Sequence, residues 1–294
     1  MIGALKPEYL FQWKVAARRL YRALAGRPRG VREVALPWGV RMRVDPNESI
    51  GRSLCDLGVY DLPVSEVLWR LATPGMLAID AGSNIGYISL LLASAGGSTS
   101  RIVAFEPHPE VVESLAANVE LNRGTPWLAT LEIRQMALGS RAGTARLVWD
   151  ESFSSNRGTA RIGEGSESGC DVKVTSIDEE FPGSNIRILK VDVEGHELEV
   201  LRGAERALAD RRIQFIVFEA HEGQRSAVLE FLGLLGYRTV AISRSLLGLR
   251  LESPDSSRGP TSYEPPSYLA FPEETDLPAN LFDSGWRCLA AKRP

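Results

Sequence analysis

The chain has 294 residues, 44% of them apolar and 24% charged, and a formal net charge of −3. This is enough for one large domain with appendages, and the slightly acidic balance excludes a nucleic-acid binder that works by broad phosphate neutralisation. Three scattered cysteines (Cys55, Cys170, Cys288) form neither a metal quartet nor a disulfide framework, and no apolar run reaches the roughly 18 to 20 residues that cross a bilayer, so a reducing cytoplasm is the expected compartment.

Residues 1–30 carry Lys6, Lys14, Arg18, Arg19, Arg22, Arg27 and Arg29 against Glu8 alone, interleaved with Leu10, Phe11, Trp13 and Leu20. The pattern predicts a basic amphipathic leader helix, with no signal-peptide core. Such a helix either packs on the main domain or makes a peripheral contact with anionic lipid. Residues 31–75 read as a hairpin and helical cap. Leu36-Pro37-Trp38-Gly39 breaks the chain between two short strands, and Val64, Val67, Leu68 and Leu71 recur at helical spacing over Asp61–Leu71.

The run Met76-Leu77-Ala78-Ile79-Asp80 predicts a strand ending in an acid, followed by Ala81-Gly82-Ser83-Asn84-Ile85-Gly86 and a helix from Tyr87. Gly82 suits a turn at positive φ, and Gly86 allows the helix to lie close to the strand. A dinucleotide fingerprint needs a second glycine where this chain has Asn84, and a pyrophosphate would meet the charge of Asp80. A ligand with cationic groups suits the turn better, and S-adenosylmethionine carries an ammonium and a sulfonium. The next strand, Arg101–Phe105, ends in Glu106, 26 residues beyond Asp80, where one carboxylate can accept both ribose hydroxyls. Pro107 offers the adenine an apolar face.

Leu131–Gly139 reads as a third strand and a turn, with Gln135 to Ala137 beside the adenine edge and Met136 as packing for the ligand or for the core. Trp149–Gly169 is a Ser/Gly/Glu-rich stretch expected to be a substrate lid. Ile186–Val191 is a strand that delivers Asp192, Glu194, His196 and Glu197 to the start of a helix marked by Leu198, Val200, Leu201, Ala204 and Leu208. Glu194 and Glu197 there are either functional acids or helix caps. Gln214–Phe218 ends in Glu219 and His221, and Ser243–Pro266 reads as a second long loop, disordered in part.

Asp80-Ala81-Gly82-Ser83-Asn84-Ile85-Gly86, Phe105-Glu106-Pro107-His108-Pro109, Lys190-Val191-Asp192-Val193-Glu194-Gly195-His196-Glu197 and Leu201-Arg202-Gly203-Ala204-Glu205 together resemble the FkbM-type S-adenosylmethionine-dependent methyltransferases. The resemblance runs from about residue 38 to 272. It implies an α/β fold, the class I methyltransferase (Rossmann-like) doubly wound sheet with an antiparallel final strand. Here that domain would span residues 76–272, preceded by the N-terminal helix and hairpin and followed by a tail over residues 273–294. The family usually has alanine at Ser83 and glutamate at Asp61.

The resemblance further implies S-adenosyl-L-methionine as cofactor and a hydroxyl on a small sugar, polyketide or lipid-linked metabolite as acceptor. The cofactor-binding candidates are Asp80, Gly82, Ser83, Asn84, Gly86, Glu106, Pro107, Met136, Ala137 and Asp192. A hydroxyl acceptor needs a base. The candidates are Asp192, Glu194, His196, Glu219 and His221, with His221 favoured by the ordinary histidine pKa and Lys190 placed to pair with an acid. No metal is expected. A non-catalytic, membrane-associated scaffold and a nicotinamide-dependent oxidoreductase stay open as other readings.

Overall fold

The computed structural model describes residues 30–150, 153, 157–163, 168–220, 226–254 and 266–290. The predicted leader lies outside them except for Gly30, and so does His221. β1 (Arg32–Ala35) and β2 (Arg41–Val44) form an antiparallel hairpin. β2 alternates exposed Arg41 and Arg43 with buried Met42 and Val44, as a strand with one face on a core must. Trp38 in the turn is fully buried, 5.6 Å from Tyr87 and 6.1 Å from Trp69 between ring centroids, so the hairpin shares its core with the helices that follow.

α1 (Ser49–Leu57) has no counterpart among the predicted elements. It lacks a side-chain N-cap, and Gly58 closes its C-terminus at φ 76° by donating to Leu54 O. α2 (Leu62–Leu71) starts at the cap residue Asp61, whose Oδ1 accepts from Val64 N at 3.2 Å.

β3 (Leu77–Ala81), α3 (Tyr87–Gly96), β4 (Arg101–Phe105), α4 (Pro109–Glu120) and β5 (Thr130–Arg134) then lay down one half of the main sheet. The chain leaves this sheet to build a second one from β6 (Ala137–Leu138), β7 (Gly143–Trp149), β8 (Arg161–Ile162) and β9 (Ser168–Thr175). The predicted lid is therefore the excursion between two paired strands, β7 and β9, with β8 on its return. After α5 (Ile177–Glu180), the other half of the main sheet follows as β10 (Ile186–Val191), α6 (Glu197–Arg202), α7 (Glu205–Ala209), β11 (Ile213–Glu219), α8 (Ala227–Leu234) and β12 (Tyr237–Ser245). β13 (Gly248–Glu252), β14 (Ser267–Pro272) and the short α9 (Arg287–Ala290) complete the described chain.

The main sheet runs β13-β12-β14-β11-β10-β3-β4-β5. The five strands from β11 to β5 are parallel, and β14 enters antiparallel between β11 and β12. This is the doubly wound class I methyltransferase sheet with an antiparallel final strand. Its order reverses between β3 and β10, and open α/β sheets place their ligand crevice at such a reversal.

Two local expectations are corrected. The single helix predicted through Leu208 breaks at Gly203-Ala204 into α6 and α7, where Ala204 leaves the helical conformation at φ −113°, ψ 11°; Gly203 there passes so near Gly139 that a Cβ would lie 2.0 Å from its carbonyl oxygen. The predicted loop from Ser243 begins instead as the end of β12 and turns into β13, with Ser243 paired to Arg250. Its serine and arginine content hid the alternation of Leu249 and Leu251.

α2 also fastens the C-terminal segment. Glu66 and Arg70 form a buried ion pair of 2.5 Å, Arg70 donates onward to the carbonyls of Asn280, Asp283 and Gly285, and Glu66 accepts from the amides of Arg287 and Cys288. Removing one member leaves the other as an uncompensated buried charge. Arg70→Leu is therefore expected to lower the unfolding free energy by about 3–5 kcal/mol, read from the urea midpoint. A loss below about 1 kcal/mol would show that the pair is not what holds the segment.

Candidate active site

The β3–α3 loop crosses the reversal of strand order and is tied to the strands on both sides. Asp192 N donates to Ala81 O at 3.1 Å, and Gly82 N and Ser83 N both donate to Phe105 O at 3.0 Å. Gly82 sits at φ 76°, and a Cβ there would stand 1.8 Å from the Asp192 carbonyl oxygen, so no larger residue fits the crossing. Asn84 takes the left-handed region at φ 49°, which its side chain supports by accepting from Ile85 N at 2.7 Å. Its own amide donates to Glu106 Oε2 at 3.0 Å, while His108 N donates to Glu106 Oε1 at 2.9 Å. The strand-end acid is thus held by two backbone amides, one from the loop after β3 and one from the loop after β4.

A cavity opens over these strand ends. From the β3–β4 side it is lined by Gly82, Ser83, Asn84, Glu106 and Pro107, and from the β10–β11 side by Lys190, Asp192, Glu194, His196 and Glu219. Tyr60 and Asp61 border it from the start of α2, Ala137 and Leu138 from β6, and Arg161 and Ile162 from β8. Most of the predicted site residues therefore converge on one space, with three exceptions and one residue out of view. Asp80 lies behind the wall, fully buried, with Oδ2 accepting from Ser89 Oγ at 2.5 Å. Gly86 is spent on a contact between helices, since its absent Cβ would lie 2.4 Å from Leu115 Cδ1 of α4; the expected closeness to the strand is not its role. Met136 packs against a hydrophobic core cluster without lining the cavity, because the chain turns into β6 there and presents Ala137 to it. His221 lies outside the described residues.

Glu197 resolves the choice between functional acid and cap. It is buried, and its Oε1 accepts from Val193 N at 3.2 Å and Gly195 N at 3.1 Å, which closes the β10–α6 loop. Glu194, at φ 53°, stands at the cavity wall instead.

Lys190 is 6% exposed and donates to Asp192 Oδ2 at 2.6 Å. Burial opposes its charge, but Asp192, Asp80 and Glu219 outweigh that and raise its pKa above the ordinary lysine value. Burial likewise raises Asp80, against the pull of Lys190. Glu106 is pushed up to about 7, chiefly by burial, although its two amide donors pull the other way. Glu219 is pushed up to about 8 by burial and then by Asp192. Burial lowers His196.

Tyr60, Arg161 and Ser267 line the cavity without having been read as site residues. Tyr60 stands beside Asp61, a position already singled out in the family pattern, and Arg161 lies in the Ser/Gly/Glu-rich stretch, so both had a local signal. Ser267 reaches the site only through its pairing with Glu219 across β11 and β14, which no local pattern encodes.

Asp80 Oδ1 and Ser83 Oγ are buried without a hydrogen-bond partner among the described residues, beside a loop that only glycine permits at Gly82. Of the two only Ser83 lines the cavity, and its hydroxyl suits a ligand that brings a donor, as an adenosyl cofactor with an ammonium does. Among the described residues no three His, Cys, Asp or Glu side chains gather as metal ligands. No helix among them is long and apolar enough to cross a membrane.

The family model described as "Methyltransferase FkbM domain" matches residues 80–239. The hexuronic acid methyltransferase AglP of Haloferax volcanii is 31% identical over 149 residues, 49% of this chain and 55% of that protein. The methyltransferase sdnD of Sordaria araneosa is 31% identical over 158 residues, 43% of this chain and 60% of that protein. The chain thus spans a little over half the length of these curated relatives. A crystal structure of methyltransferase FkbM from Methylobacillus flagellatus aligns with 67% of this chain and 43% of its own at 16% identity and a TM-score of 0.45.

Two outcomes follow from the geometry. Gly82→Ala is expected to weaken S-adenosylmethionine binding by more than about tenfold in calorimetry, since either the loop or the Asp192 carbonyl must move; unchanged affinity would show that the crossing is loose. The second outcome concerns pH. Because the folded pKa of Glu106 is raised, the native state holds a proton that the unfolded chain releases, so this stabilisation is full below about pH 4.5 and is lost as pH rises through about 7. Between about pH 4.5 and 7 the ligand-free wild type should therefore lose about 3 kcal/mol more stability than Glu106→Gln, read from urea midpoints across that window.

Proposed function

The chain belongs to the FkbM methyltransferase family, whose cofactor is S-adenosyl-L-methionine, and on that footing we propose that it methylates a hydroxyl of a small sugar, polyketide or lipid-linked metabolite. The observation that carries the site assignment is the convergence, at the reversal of strand order, of an amide-held Glu106 with the Lys190, Asp192 and Glu219 cluster around one cavity.

In this reading Glu106 receives the ribose hydroxyls, and the Gly82–Asn84 loop carries the aminoacyl end, with Asp80 behind it. Pro107 and Ala137 flank the adenine. Asp192, held by Lys190, orients the cationic end of the cofactor, and Glu194 and Glu219 face the acceptor. The cofactor supplies an electrophilic methyl group for in-line displacement by the acceptor oxygen. The protein must hold that oxygen on the methyl side, exclude competing water and remove the hydroxyl proton. A sugar acceptor draws support from the hexuronic acid methyltransferase among the relatives.

The family match and Asn84 both weigh against a nicotinamide cofactor. A scaffold that keeps the pocket without turnover is the remaining rival, and methyl transfer to any acceptor would exclude it.

S-adenosylmethionine and S-adenosylhomocysteine are expected to bind the purified protein, and NAD not to bind, in calorimetric titrations. Glu106→Ala should weaken both adenosyl ligands by at least about tenfold through loss of the hydrogen bonds to ribose. Binding that survives Glu106→Ala undiminished would place the ribose elsewhere.

A further inference from the structure

Resting on that methyltransferase reading, we infer that Glu219 is the proton acceptor of the site: its carboxyl gives up a proton when the cationic cofactor enters and takes the proton of the acceptor hydroxyl as the methyl group is transferred. Glu219 stands at the end of β11, beside the strand that delivers Asp192, and lines the same cavity. Among the described residues the charged groups facing it are Lys190 and Asp192 from β10 and its end, Glu194 from the loop after β10, and Asp61 from the start of α2. β14 contributes the neutral Ser267 opposite it. Glu106, His196 and Arg161 occupy the rest of the wall.

The one ammonium in this group cannot neutralise every acid near it. Lys190 makes its direct bond to Asp192 and also serves the buried Asp80. Glu219 feels that charge across the cavity, with no hydrogen bond from Lys190 Nζ to hold its ionised form. Its pKa of about 8 accordingly leaves it mostly protonated at neutral pH in the ligand-free crevice. A sulfonium cation nearby favours the carboxylate, and that pull disappears once sulfur becomes a neutral thioether. Glu219 therefore regains its proton affinity at the moment the hydroxyl must lose its proton. The step balances: Glu219 takes the proton from the acceptor oxygen, that oxygen gains the methyl carbon, and the electron pair of the broken C–S bond stays on sulfur. The proton passes to solvent when the next cofactor binds.

Proton release on ligand binding tests this without a known acceptor. S-adenosylmethionine and S-adenosylhomocysteine are titrated calorimetrically at pH 7 in two buffers of different ionisation enthalpy. The wild-type protein should release about one proton more with S-adenosylmethionine than with S-adenosylhomocysteine. That excess should vanish in Glu219→Gln and persist in His221→Gln; the ligand's own amine contributes alike to all three proteins. Detectable S-adenosylhomocysteine binding certifies that a variant is folded. Should Glu219→Gln fail to fold, the wild type alone decides, because the ratio of the two affinities, corrected for the titration of each ligand's own amine, should rise with pH while Glu219 holds its proton and level off once it is ionised. Equal proton counts, a flat ratio or an excess that survives in Glu219→Gln overturns the assignment, and an excess lost only in His221→Gln moves the role to that histidine. If neither ligand binds the wild type, the methyltransferase reading of this cavity fails with it.

Discussion

One buried ammonium makes the acidic crevice tolerable. Lys190 sits in β10 directly across the pairing from Asp80 in β3, and its Nζ reaches on to Asp192. A lysine this buried would ordinarily lose its proton, and several carboxyl groups this close would ordinarily not all ionise. Each problem is the solution of the other. The acids around Lys190 are consequently not equivalent. Asp192 has the ion pair, Asp80 has Ser89, Glu106 has two backbone amides, and Glu219 has the least support. Acids of different proton affinity in one cavity can take different tasks, which identical environments would forbid.

The backbone supplies the rest of the constraint. The loop at Gly82 is pinned between β4 and the end of β10, so the ribose-side carboxylate and the acid cluster are held at a fixed separation by hydrogen bonds to Phe105 and Ala81. The second sheet brings Ala137 and Leu138 to one wall and Arg161 and Ile162 to another. In the proposed reading, acceptor choice would fall to the β8 wall and the end of β11, and cofactor placement to the hydrogen-bonded β3–β4 side.

Much of this was legible before the fold was known. The strand-end acids Asp80, Glu106, Asp192 and Glu219 declared themselves because short, largely apolar runs end on them, and the reversal of strand order then gathers such ends at one edge. What stayed hidden depends on partners distant in sequence. Met136 and Ala137 are neighbours in the chain, and only the turn into β6 decides which of them meets the cavity. Gly86 has the look of a cofactor glycine, yet its missing side chain makes room for Leu115. Glu66 and Arg70 gave no signal at all, because a charged pair at helical spacing usually marks a solvated face and here it is fully buried.

The position of β14 bears on how this protein can be divided. The family-matched region, residues 80–239, stops inside β12, yet β14 lies between β11 and β12 and pairs with both. A fragment trimmed to that region would lose the strand that joins β11 to β12 and would expose the unpaired edge of β11 to other chains. The portion that carries the family's sequence signature is therefore not a portable module. Excision or fusion has to respect residues beyond it, through β14 and on to the segment that the buried pair of α2 secures.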